Sequence, residues 1–237
     1  MLHKKPRYKP LYKKFVRLRK NVQNRRKLLI GNFKKQKWKN LITFLKTSIK
    51  RRKNNFRSYD QFSFFISKYS SPYKKKYLNR LLTKQRFRLF YGDISNKKLK
   101  KLIHTINSSK QKTLSPSNLL INHLENRLDT ILYRSHFVRS IREARLIIQH
   151  GHVFVNNIRN KNNTLILTEG DIISISSKYI EQMKINLFSS NFWPLPPEYL
   201  QINYKIFQIS VLNTFEKSSI SLYYPFWLDL HNIVNYK

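Results

Sequence analysis

Apolar residues recur at helical spacing in four stretches of the chain. These are Leu78, Leu81 and Leu82; Leu99, Leu102, Ile103 and Ile106; Leu124, Leu128, Ile131 and Leu132; and Ile141, Ala144, Ile147 and Ile148. Steps of three and four residues place each set on one face of a helix. The spacing predicts helix over 77–106, broken near Gly92, and a further helix over 124–134. Residues 107–117 read as a loop, and Ser115 before Pro116 marks a helix start, because proline tolerates the first helical turn. Ser140 opens another helix, with Glu143 three residues on, so a capping box satisfies two amide donors. Gly151 stops that helix, since the residue past a helix end often needs positive φ. Residues 152–155 then read as a strand, Asn156-Asn157 as a turn, Glu169-Gly170-Asp171 as a second turn and 172–175 as a strand. After residue 181, Trp193-Pro-Leu-Pro-Pro197 precedes alternating stretches over 200–206 and 207–212. These read as extended segments packing back on something larger.

The predicted class is α+β. Its parts are a basic N-terminal arm (1–58), a helical region (59–120), a module of two helices on a small β-hairpin sheet (121–180), and a C-terminal segment (181–237) packing back on the helical region. The arm alternates basic clusters with short apolar stretches. It holds 22 basic residues, and no acid occurs before Asp60. Such a segment is expected to be disordered when free, with transient helix around Leu28–Leu29 and 38–49. Transit peptides are also acid-poor, but this arm is rich in Lys rather than in Ser and Ala, which favours an RNA-binding arm.

Charge then selects the partner. Across 237 residues there are 48 Lys plus Arg against 11 Asp plus Glu, a formal net charge of +37. A chain of this kind repels itself until a polyanion neutralises it, and nucleic acid is the usual polyanion. Interleaved aromatics suit base stacking. The basic residues are spread along the chain rather than set on one amphipathic helix, which disfavours a membrane surface. No apolar run reaches the ~18 residues of a membrane span. The absence of cysteine excludes disulfides and Cys-containing zinc sites. The 4 glycines are far apart, so no phosphate-cradling loop is present. The wealth of Lys, Asn, Ile, Phe and Tyr has the look of an AT-rich genome, a compositional hint toward an organelle or symbiont.

The helical faces opposite the apolar stripes carry the candidate chemistry. Lys84, Arg88 and Tyr91 share a face, Arg127 and Arg134 fall together, and Arg142, Arg145 and Gln149 share an outward face. With so few acids to pair them, phosphate binding is the expected role. His150 and His152 lie two apart with no third ligand in view, so a metal site is not expected. No serine or cysteine has a supporting base in a recognisable pattern, and no cofactor or small-molecule substrate is implied.

In order, residues 126–134, 140–145, 150–156 and 169–175 resemble the RNA-binding domain named after ribosomal protein S-four. Lys84-Gln85, Arg88, Tyr91-Gly92, Asn118-Leu119-Leu120 and Pro197-Glu-Tyr-Leu-Gln-Ile-Asn203 extend the likeness to about residues 77–237. The resemblance implies an S-four-family protein of the small ribosomal subunit that binds small-subunit ribosomal RNA beside neighbouring ribosomal proteins and helps assembly. By position it implies RNA roles for Arg127, Arg134, Arg145, His150, Gly151 and Asn156. Added to them are Arg139, Arg142, Gln149, His152 and Arg159 in the module, Lys84 and Arg88 in the helical region, and Arg25 and Arg26 in the arm. Three departures stand out. Ile141 occupies the position after the capping Ser140 where the family has arginine, Asn156-Asn157 replaces Asn-Gly, and the arm barely resembles bacterial members. With the composition, these suggest a mitochondrial member rather than a plastid or bacterial one.

Two other readings use the same residues. Arg127-Leu-Asp129 resembles the triplet that carries the catalytic aspartate of pseudouridine synthases, but the sequence expected after it is missing. Local pairing of Asp129 with arginines is the expected role. A free RNA chaperone with an S-four-type domain would need far fewer residues.

Overall fold

The computed structural model describes residues 36–54, 73–108, 115–190, 195–212 and 230–234, with Lys14, Leu18, Val22, Tyr224, Phe226 and Leu228. The described residues fall into two compact units, one drawn from 1–90 and 224–229, the other from 91–223 and 230–237.

The first unit holds α1 (Gln36–Asn54) and α2 (Tyr73–Phe90). In α1 the buried residues Trp38, Leu41 and Leu45 follow helical spacing. Their steps give this stretch one buried face. In α2, Phe87, Leu89 and Phe90 are buried. Phe90 meets Tyr224 and Phe226 edge-on, at ring-centroid distances of 5.2 and 6.0 Å. An Arg86 guanidinium nitrogen donates to the Leu18 carbonyl at 3.2 Å. Arg25 and Arg26 lie outside the described residues.

The second unit begins at a turn in which Gly92 and Asp93 both take positive φ, 73° and 63°. That turn is the expected break near Gly92. α3 (Asn96–Ser108) follows and buries Leu99 and Ile103. Ser115 caps α4 (Pro116–Glu125), its hydroxyl accepting from the Asn118 amide at 3.3 Å. The helix expected over 124–134 is in fact two. Between Glu125 and α5 (Leu128–Arg134), Arg127 is extended and bridges Ile166. The Leu128 amide donates to the Leu165 carbonyl at 2.9 Å, and the Leu167 amide donates to the Asn126 carbonyl at 2.8 Å. The segment 165–167 thus takes backbone groups that a continuous helix would have kept for itself. The apolar stripe runs through the break unchanged, because Leu124, Leu128, Ile131 and Leu132 are all buried.

α6 (Ile141–Gln149) starts at Ser140, whose hydroxyl accepts from the Glu143 amide at 3.3 Å. The returning bond comes from the amide of Arg139, one residue before the cap, to Glu143 Oε2 at 2.8 Å. Gly151 ends the helix at φ 72°. β1 (Val153–Val155) and β2 (Ile158–Asn160) form a hairpin. Asn156 and Asn157 turn it at φ 49° and 64°, the twist that a two-residue hairpin loop requires. β3 (Ile172–Ile175) pairs with the other edge of β1.

The C-terminal stretch differs from its extended reading. α7 (Ser177–Ser190) is helical, with Met183, Asn186 and Leu187 buried at helical spacing. Asn186 donates to the Phe137 carbonyl at 3.0 Å. β4 (Leu200–Asn203) and β5 (Gln208–Val211) then continue the same antiparallel sheet, in the order β2-β1-β3-β5-β4. α8 (Leu230–Val234) packs against α4. Val153, Val155, Ile173, Ile209 and Val211 alternate along the strands and supply the buried side of the sheet.

Candidate nucleic-acid interface

Two fully buried carboxylates organise the arginines of the module. Glu125 Oε1 accepts from Arg134 at 2.7 Å and from the Tyr91 hydroxyl, and Oε2 accepts from Arg134 Nε at 2.9 Å and from the Tyr199 hydroxyl at 3.1 Å. The guanidinium fork matches the carboxylate with two parallel bonds. Both oxygens are satisfied, which a charge removed from water requires. Arg134 is therefore 7% exposed and faces inward. This corrects the outward placement expected for it. The short helix α5 turns that flank onto Glu125.

Asp129 is the second anchor. Its Oδ1 accepts from Arg127 Nε at 3.1 Å, and its Oδ2 accepts from Arg127 at 2.8 Å and from Arg145 Nε at 2.7 Å. The remaining Arg145 nitrogens donate to the carbonyls of Gly92 and Tyr91 at 2.8 and 2.9 Å. Arg145 thus clamps the turn at 91–92 while keeping a partly exposed edge. Local pairing of Asp129 with arginines, the expected structural role, is what the geometry has. Two guanidinium charges against one carboxylate leave this cluster net positive. Arg142 lies 3.6 Å from Asp93, both partly exposed.

The open surface is carried by other residues. Arg139, Gln149, His150, Asn156 and Arg159 are exposed, and His152 is half-buried. Arg159 reaches back to the helix end, donating to the carbonyls of Gly151 and His150 at 2.7 and 2.9 Å. His150, Gly151, His152 and Arg159 are thereby brought together. Gly151 matters twice, because a Cβ there would stand 2.2 Å from Arg159 Nε. Asn156 has a structural task beside its exposure. Its side chain donates to Asp171 Oδ1 at 2.8 Å and accepts from the Ile172 amide at 2.9 Å, tying the hairpin turn to β3.

In the first unit, Lys84 is 5% exposed and lies three residues from buried Phe87. It therefore does not share an open face with Arg88, which is half-buried. What the candidate-site reading missed is the outer face of α3, where Lys97, Lys98, Lys100, Lys101 and His104 are all exposed. The signal was the Lys-Lys-Leu-Lys-Lys run itself, a helix buried on one side and cationic on the other. His123 has its pKa lowered by burial and then by the Arg127 charge, so it is not part of the cationic surface. Among the described residues no three His, Cys, Asp or Glu side chains converge as metal ligands. No described helix is long and apolar enough to cross a membrane. The surface offers fixed guanidinium and ammonium groups, imidazoles and amides, a set suited to phosphates and unpaired bases.

The S4 domain model matches residues 126–173, from the break before α5 into β3. The small ribosomal subunit protein uS4m of Reclinomonas americana is 33% identical over 173 residues, covering 70% of this chain and 67% of that protein. The chain belongs to the uS4 family. Within that family, the uS4B protein of Clostridium acetobutylicum is 35% identical over 122 residues, spanning 52% of this chain and 60% of its own length. The uS4 protein of Carsonella ruddii is 40% identical over 100 residues, spanning 42% of this chain and 48% of its own length. The uS4 likeness thus reaches well beyond the S4 domain, while these two relatives are covered over about half of their length.

Proposed function

We propose that this chain is a structural constituent of the small ribosomal subunit. It binds small-subunit ribosomal RNA, contacts neighbouring small-subunit proteins, and supports assembly and translation. The observation that carries the reading is the pairing of an S4 domain at residues 126–173 with a chain of net charge +37. Arg139, Arg142, His150, His152 and Arg159 take the module's phosphate and base contacts, helped by the exposed edges of Arg127 and Arg145, by Gln149 and by the lysines of α3. Arg88, Arg25 and Arg26 contribute from the first unit and the arm. Recognition is of RNA shape, with cations neutralising phosphates where helices converge.

No reaction is needed for this role. Against chemistry at Asp129 stand its complete burial and the occupation of both its oxygens by guanidinium groups. The subunit is that of a mitochondrion, a reading supported by the AT-rich drift of the composition and by the uS4m relative. The test is cosedimentation of the tagged full chain from fractionated cells. Recovery with the mitochondrial small subunit, persisting at raised salt, is expected. Release at modest salt, or recovery in another compartment, would overturn the assignment.

A further inference from the structure

Three aromatic rings stand in line at one place on the second unit. His150 and His152 lie 6.3 Å apart by ring centroid, and His152 lies 4.6 Å from Tyr179 with the ring planes tilted by 37°. The backbone holds the line in place. The Ser176 amide donates to the His152 carbonyl at 3.0 Å, and the Tyr179 amide donates to the Ser176 carbonyl at 3.0 Å, so the first turn of α7 is fastened beside β1. None of the three rings is buried, and His150 is exposed. Two exposed cations belong to the same stretch: Arg159 donates to the His150 carbonyl, and Lys178 precedes Tyr179 in the chain.

Aromatic side chains in a protein core pack against aliphatic neighbours; a row of partly open rings beside cations is the arrangement on which nucleobases stack. Such a row discriminates by strandedness. A paired base offers its faces only to its neighbours in the helix, whereas an unpaired base has a face to give. We infer that Tyr179 and His152 form a stacking platform for an unpaired nucleotide of the bound RNA. His150 extends the platform, and Arg159 and Lys178 hold the flanking phosphates. The inference rests on the RNA-binding reading above and adds to it the strandedness of the contact and the residue Tyr179.

The experiment compares the full-length parent with Tyr179→Leu and Tyr179→Phe. The probes are the complete small-subunit ribosomal RNA, a single-stranded oligoribonucleotide and a fully paired RNA duplex of the same length. Stacking predicts that Tyr179→Leu binds the single strand about tenfold more weakly. The duplex affinity and the salt slope should be unchanged, because every cation that neutralises a phosphate is still in place. Tyr179→Phe, which keeps the ring, should bind as the parent does. Ultraviolet cross-linking of the parent to the single strand should mark the peptide containing Tyr179. Equal binding of the single strand by Tyr179→Leu would overturn the platform, as would equal weakening on single strand and duplex with a flatter salt slope. If the parent fails to bind the ribosomal RNA, the reading beneath falls as well. Retained ribosomal RNA binding with no effect at Tyr179 removes the platform alone.

Discussion

Arg134 grips Glu125 with two nitrogens on two oxygens, at 2.7 and 2.9 Å, with neither side chain open to solvent. The pair fastens the end of α5 to the end of α4, across the very break where 165–167 intrudes. Removing one partner leaves the other charge buried and uncompensated. Arg134→Met is expected to destabilise the fold by about 3–5 kcal/mol. The double variant Glu125→Met with Arg134→Met should be much milder, because both charges leave together. Urea unfolding of the four proteins forms a cycle that checks this. A single variant as stable as the parent would contradict the buried pairing.

Asp171 makes part of the stability depend on acid. Burial alone would raise its pKa, but hydrogen bonds from the Thr168 amide, the Asn156 side chain and the Thr168 hydroxyl outweigh burial and hold it below its ordinary value of 3.8. The folded chain then binds fewer protons than the unfolded chain near that pH. The contribution is present above the ordinary value and disappears as pH falls through the folded one. The thermal midpoint of Asp171→Asn should consequently fall less steeply than the parent's over about pH 5 to 2. Parallel curves would show that Asp171 does not titrate in this way.

Gly151 and Gly170 provide a matched comparison. Both have positive φ, 72° and 86°. At Gly151 a Cβ would strike Arg159, whereas at Gly170 nothing lies within 4 Å. Gly170→Ala should cost about 1–2 kcal/mol for the left-handed backbone alone. Gly151→Ala should cost more, because Arg159 must also leave the carbonyls of His150 and Gly151. Urea midpoints rank the two, and an equal destabilisation would mean that the Arg159 contact has no energetic weight.

Arg139 and Arg145 should behave oppositely under charge reversal. Arg139→Glu changes an exposed side chain, so stability should stay within about 0.5 kcal/mol of the parent. RNA affinity should fall, with the salt slope flatter by about one for each phosphate no longer neutralised. Arg145→Glu sets a carboxylate against Asp129 and two carbonyls, and should unfold or loosen the module before RNA is added. Circular dichroism separates the two, and a stable Arg145→Glu with selectively weak RNA binding would reverse the assignment.

These contrasts mark where sequence periodicity stops. Leu124 through Ile148 could be read as inward stripes because burial of apolar side chains repeats with the helix. The caps at Ser115 and Ser140 and the turns at Gly151 and Asn156-Asn157 are legible because each depends on one residue's local chemistry. The inward turn of Arg134 is not, since it depends on Glu125, Tyr91 and Tyr199, brought together from distant positions. The division of the 124–134 helix escapes for the same reason: its cause is the segment 165–167, far along the chain. α7 was hidden because its packed side includes a polar residue, Asn186, whose partner is the Phe137 carbonyl.

The strand order has a temporal meaning. During synthesis β1, β2 and β3 leave the ribosome together, yet β3 keeps one edge bare until β5, which follows after α7 and β4, arrives to pair Ile173 with Ile209. In that interval the nascent chain carries an open row of amides and carbonyls beside an apolar strand, the template on which neighbouring chains aggregate. A chain cut off between residues 176 and 208 would therefore be the species most in need of a chaperone or of its RNA.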